Sequence, residues 1–240
     1  MGDDATGDGR LKEDERTMSG PSTGPADDDV LDPVRCLLAV IDVQNDFCHE
    51  DGAYARMGHP VGMAAAAVEG IRATLDLARR VDVPRVVVRV AHSPWTDDPA
   101  WAARGAAGSV LDVVRVPVAR EGTWGAEFFG IEPDPDAMVL TKHRYSAFVH
   151  TPLELYLRAR GATTIVLAGV ATNVCVHATA RDALHAGFLP VVLEDATAAH
   201  SAEAHERALE DVRSFIGRVA TVADLERAWG GSRMPAAAGA

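Results

Sequence analysis

The stretch TTIVLAGVATNVCV (residues 163–176) decides how the rest of this chain is read. Its first half, Thr163 to Ala168, is β-branched and apolar without polar alternation, the pattern of a strand buried on both faces. A turn of small residues comes next, Gly169-Val170-Ala171-Thr172, and Asn173 then opens a helical pattern. Cys175 therefore falls in the first turn of a helix, just past the end of a strand. A thiol there meets the positive end of the helix dipole, which lowers its pKa and favours thiolate. The free N–H groups of such a turn can also receive a developing oxyanion. Against this stands the common fate of an unpaired cysteine, a small buried apolar residue.

On either side of this stretch, strand-like and helix-like segments alternate. Residues 35–42, 85–91, 138–142, 165–168 and 190–194 read as buried strands, with a short sixth at 218–221. Helices are expected at 61–81, where Val68, Ile71, Leu75 and Ala78 recur at helical spacing, at 152–160, 173–186 and 201–215, and, after the sixth strand, through Trp229. Pro152 and Gly161 bracket one of them in the usual order, and Ser201 is a ready N-cap. Non-alternating strands that alternate with helices imply an α/β fold: three αβα layers around a mostly parallel, about six-stranded, Rossmann-like sheet. Residues 94–129 read as long and irregular. No GxGxxG follows the first strand, so dinucleotide binding has little support.

Composition bounds the rest. The 240 residues suffice for one large domain. Net charge is −12, and residues 1–33 carry ten acids against three bases. That segment has few large apolar residues, so it is expected to be a disordered acidic tail. The folded domain is expected over 34–229, with 230–240 a frayed end. Nothing is basic enough for nucleic acid, and no apolar run reaches membrane length. Cys36, Cys48 and Cys175 are too few and scattered for a disulfide framework or a CxxC metal site. Together with the absence of a signal-like apolar core, this leads to the expectation of a soluble cytoplasmic protein.

In a parallel sheet the site lies at the carboxyl ends of the strands. Those ends deliver Asp42 from the first strand, Lys142 from the third and Cys175 through the turn after the fourth. An acid, a base and a thiol converging in one crevice fit the logic of an activated nucleophile. Singly, Asp42 is equally a turn cap and Lys142 a solvated strand end; together they point to chemistry.

Three motifs carry a resemblance: LLAVIDVQNDF (37–47), LTKHRYSAF (140–148) and GVATNVCVHATARDA (169–183). On them the chain resembles the isochorismatase-like cysteine hydrolases, a family that includes nicotinamidase, N-carbamoylsarcosine amidase, ureidoacrylate amidohydrolase and biuret hydrolase. The resemblance covers about 34–225. It implies an Asp42–Lys142–Cys175 triad, a cis peptide between Val170 and Ala171, an oxyanion hole from the Ala171 and Cys175 N–H groups, and a homodimer or homotetramer. The nicotinamidase-like branch carries an Asp-x-His…His metal site after the second strand; here that place reads Val90-Ala91-His92, with only loop aspartates beyond. The expectation is therefore no metal and no cofactor. The stretches QNDFCHEDGAYA (44–55) and GTWGAEFF (122–129), with 142–161, look most like the ureidoacrylate and biuret branch. The resemblance thus implies a small amide or ureido substrate, with a nicotinamidase-type amidase, an isochorismatase or an inactive binding module as the competing readings.

Further candidates are Phe47, Trp95, Trp124, Tyr145 and Phe148, either as walls of a small planar pocket or as core and interface aromatics. Gln44 and Asn173 are candidates for site anchors or for ordering loops.

Overall fold

All six residues of β1 (Cys36–Ile41) are buried, and all seven of β4 (Thr164–Val170), its parallel neighbour, are buried too. The apolar runs without polar alternation thus become the two central strands of the sheet. In the computed structural model, which describes residues 30–103 and 116–230, four more strands flank them: β2 (Arg85–Val90), β3 (Met138–Lys142), β5 (Leu189–Ala198) and β6 (Arg218–Ala220). The order is β3-β2-β1-β4-β5-β6 and every pairing is parallel. The direction of winding reverses between β1 and β4, and the crevice at such a reversal is where α/β sheets bind ligands.

Side chains of β1 alternate between two cores. Cys36, Leu38 and Val40 pack on one face beneath α1 (Gly62–Arg80) and α5 (Val222–Gly230), which contribute Ile71, Leu75, Leu225 and Trp229. Leu37, Ala39 and Ile41 pack on the other with Leu153 and Leu157 of α2 (Leu153–Ala159), Ala180 and Ala183 of α3 (His177–His185) and Leu209 of α4 (Ala202–Asp211). This is the three-layer αβα arrangement. Ser201 caps α4 by accepting from the Ala204 N–H at 3.1 Å. Among the described residues no helix is long and apolar enough to cross a membrane.

Three local differences from the sequence reading have clear causes. Residues 30–33, grouped with the tail by composition, belong to the fold: Val30 is 4% exposed and the Leu31 carbonyl accepts from the Trp229 indole at 2.8 Å. The remaining tail, 1–29, and the end 231–240 lie outside the described residues. β5 runs four residues beyond the expected end at Glu194, because its ladder with β4 shifts register between Leu167 and Gly169 and resumes at Thr197 and Ala198. The helix expected from Asn173 begins instead as a wide turn of π type over Thr172–Val176. The Val174 and Val176 N–H groups share the Ala171 carbonyl there, at 3.0 and 3.2 Å.

Candidate active site

Asp42 follows the last residue of β1, and its backbone takes a left-handed conformation with φ 52°. Such a φ is uncommon for a non-glycine residue and is held by its surroundings. Its N–H donates to the Val88 carbonyl at 2.9 Å. Gln44 and Asp46 then fasten the loop that leaves the strand. The Gln44 amide donates to the Val90 and Ala126 carbonyls and accepts from the Val90 N–H. The Asp46 carboxylate accepts from the Ala53 and Ala119 N–H groups at 2.9 and 2.7 Å.

Lys142 comes from β3, two strands away from β1. Two strand spacings make about 10 Å, a gap that a lysine and an aspartate reaching toward each other can close. Its ammonium, fully buried, lies 2.6 Å from the Asp42 carboxylate and donates to the Arg144 carbonyl at 3.0 Å. It also meets the Cys175 sulfur at 3.5 Å. The Asp42 carboxylate also acts electrostatically on the Cys175 thiol. The carboxyl ends of β1, β3 and β4 thus bring acid, ammonium and thiol to one point, and all three line one cavity. The Val170–Ala171 peptide beside them is cis.

Burial sets the electrostatics of this trio. It raises the Asp42 carboxyl above its ordinary value, against the pull of Lys142, so the carboxylate is a stronger base than an exposed aspartate. Burial works to lower Lys142 but is outweighed by Asp42 and Cys175, so the ammonium holds its proton more firmly. Burial also pushes the Cys175 thiol up, with Lys142 opposing and Asp42 adding to the rise. This corrects the expectation of a thiol depressed by a helix N-terminus. The wide turn and the cavity walls desolvate the sulfur, and Asp42 stands next to it. The resting site holds a thiol beside a base able to take its proton.

The remaining sequence candidates divide. Phe47 and Tyr145 line the cavity. Trp95 does not; it is 96% exposed. Trp124 stands outside it, edge-on to His49, and Phe148 packs toward Phe188 under the opposite face of the sheet. Gln44 orders loops rather than reaching the cavity. Asn173 lines a separate surface depression with His177 and Asp211. Other walls come from residues the sequence reading did not single out as pocket-forming: Tyr54, Trp101, Arg144 and His200. Trp101 packs against Tyr145, with centroids 4.8 Å apart, and beneath the Arg144 guanidinium at 4.9 Å. Nothing in the periodicity of an irregular segment separates Trp101 from Trp95. His92 lines the cavity and lies 3.3 Å from Asp97, itself paired with Arg120. Among the described residues no group of three or more His, Cys, Asp or Glu side chains is arranged to hold a metal.

The isochorismatase domain model matches residues 36–224. A ureidoacrylate amidohydrolase RutB from Methylobacterium radiotolerans is 37% identical over 224 residues, covering 87% of this chain and 85% of its own. Among solved structures, a cysteine hydrolase from Pseudomonas syringae pv. phaseolicola superposes with TM-score 0.68 at 26% identity, over 83% of this chain and 94% of its own. N-carbamoylsarcosine amidase from Thermoplasma acidophilum does so with TM-score 0.63 at 30% identity, over 78% and 96%.

Proposed function

The chain belongs to the isochorismatase family, and on that premise we propose that it is a metal-independent cysteine amidohydrolase cleaving a C–N bond of a small ureido or amide compound. The observation that carries this reading is the convergence of Asp42, Lys142 and Cys175, at 2.6 and 3.5 Å around the buried ammonium, on the floor of one cavity. The name of the relative at 37% identity, a ureidoacrylate amidohydrolase, favours a ureido substrate over a ring carboxamide.

Asp42 accepts the Cys175 proton, which its raised basicity favours, and Lys142 compensates the negative charge that passes between them. The thiolate attacks the ureido or amide carbonyl. The developing oxyanion is received by the Ala171 and Cys175 N–H groups at the turn after β4. The protonated Asp42 donates to the leaving nitrogen as the C–N bond breaks. Water, deprotonated by Asp42, then hydrolyses the thioester and restores the thiol. Lys142 remains an ammonium throughout. Assembly into a homodimer or homotetramer belongs to the same reading and is checked by light scattering.

The test is ammonia release from 3-ureidoacrylate, biuret, N-carbamoylsarcosine and nicotinamide, wild type beside Cys175→Ala, with and without chelator. Release from a ureido compound that survives chelator and disappears in the variant is the expected result. Release from nicotinamide alone, lost with chelator, replaces the reading by a metal-dependent amidase. No release from any of them, with a Cys175 no more reactive than a free thiol, makes the chain a binding module.

A further inference from the structure

We infer that His200 is a specificity-determining residue that holds a carboxylate of the substrate, so that the cavity selects anionic ureido acids over neutral ureas. This rests on the proposed activity and adds to it the charge of the substrate and the side chain that reads it.

Position comes first. Val170 pairs with Ala198 at the end of the β4–β5 ladder. The chain leaving β5, Ala199-His200, therefore passes alongside the turn that leaves β4 at Ala171 and carries Cys175. His200 and Cys175 both line the cavity. This strand end thus contributes a wall of the cavity that holds the nucleophile.

Partnering comes second. His200 is half-buried, and among the described residues its ring contact is with His59, at 6.1 Å between centroids. His59 in turn packs against Tyr54 at 5.7 Å, so the imidazole is buttressed from one side. Among the described residues neither ring nitrogen of His200 makes a hydrogen bond or ion pair. Other polar side chains of the cavity are engaged: Lys142 with Asp42, His92 with Asp97, and Arg144 with Asp98 and the Thr96 and His143 carbonyls. A positioned imidazole with both nitrogens unused is a ready donor to a carboxylate.

Charge comes third. Among the described residues Asp42 is the sole carboxylate lining the cavity, and Lys142 neutralises it. Arg144 adds a permanent positive charge to the wall, and its partner Asp98 is half exposed on the outer side, where water screens it. A substrate carboxylate entering this cavity meets a positive field and no repelling acid. A neutral urea gains nothing from either feature.

The experiment compares a ureido acid, 3-ureidopropionate, with its methyl ester, following loss of the ureido group chromatographically in wild type, His200→Ala and His200→Arg. Wild type is expected to prefer the acid by about 10- to 100-fold in kcat/KM, the range of a charge-assisted hydrogen bond. His200→Ala is expected to lower that ratio about tenfold, mainly through KM for the acid, leaving only the preference due to the Arg144 charge, and His200→Arg to restore it. A merely structural loss lowers both substrates together and leaves the ratio in place, which overturns the assignment. A wild type that handles ester and acid equally overturns the anionic substrate class while the cysteine amidohydrolase reading stands. If no ureido compound is consumed and Cys175 is unreactive, that reading fails and this inference falls with it.

Discussion

Replacing Lys142 by Met keeps the side chain out to Cε and removes a cation with no exposed surface, leaving the equally buried Asp42 without its ion-pair partner. At 2.6 Å and an effective dielectric of about 20, the attraction between the two is ~6 kcal/mol. Desolvation of both groups cancels much of that gain, but removing one partner strands the other and costs about 3–5 kcal/mol. That is a large fraction of the ~5–15 kcal/mol that holds a domain folded. The pH dependence has a definite sign. The Asp42 carboxyl is already raised by burial, against the opposing charge of Lys142. Without Lys142 it rises further. A carboxyl whose folded pKa exceeds its unfolded one supports the fold below the unfolded value and loses that support as pH rises through the folded value. The deficit of Lys142→Met is therefore greatest at neutral pH and shrinks as pH falls toward the ordinary carboxylate value. Asp42→Asn in the same chain removes the stranded charge, so the double variant is expected to unfold at higher urea than Lys142→Met alone. The assay is urea unfolding of both single variants and the double one at pH 7 and pH 5, followed by circular dichroism. A Lys142→Met protein as stable as wild type at pH 7, or a double variant whose loss is the sum of the two singles, refutes the reasoning.

Other outcomes rest on the same geometry. The acid limb of kcat/KM is expected above pH 3.8, the ordinary carboxylate value, because burial raises the Asp42 carboxyl that must be ionised to take the thiol proton. A pH profile whose activity persists down to that value contradicts the role given to Asp42. Cys36 and Cys48 are each 1% exposed, whereas Cys175 is partly exposed on the cavity wall, so iodoacetamide on the native protein is expected to label Cys175 alone, and more slowly in Asp42→Asn, which removes the base beside the thiol. Mass spectrometry of the peptides checks both points. Gly169 has φ +110°, and a Cβ there would lie 2.1 Å from the Ile41 carbonyl oxygen. Gly169→Ala is therefore expected to lose about 3 kcal/mol in urea unfolding by forcing apart the two central strands. A Cβ on Gly125 would lie 2.1 Å from the Asp46 carboxylate, so Gly125→Ala is expected to free the Ala53 and Ala119 N–H groups and speed their hydrogen exchange.

The sheet was legible because its central strands have a local signature. β1 and β4 are buried on both faces, so their apolar runs stand out from any neighbouring segment. The strand ends were legible for the same reason, since a charged residue closing such a run has few places to go except the carboxyl edge of the sheet. What could not be read was burial. At Cys175 the helix dipole is a local effect, visible in the sequence, whereas desolvation comes from walls drawn from distant parts of the chain and raises the thiol instead.

The same distinction explains the walls themselves. Trp95 and Trp101 are six positions apart on a segment with no repeating pattern, yet one is almost wholly exposed and the other lines the cavity. The difference is made by ties to remote partners. Asp97 pairs with Arg120, Asp98 pairs with Arg144, and the Arg144 guanidinium then lies over Trp101. Each partner is remote in the chain, and none announces itself in the sequence around Trp101. Gln44 shows the converse. It lies two residues from Asp42 in a motif rich in site residues, but its amide is spent on the Val90 and Ala126 carbonyls. Proximity in sequence to the acid made it a candidate for the substrate, whereas an amide that clamps two separate backbone segments beside the cavity has no donor left to offer one. Within a motif, the residues that hold the site in place and those that face the ligand are the same chemical types. Their hydrogen-bond partners, which come from other elements, are what tell them apart.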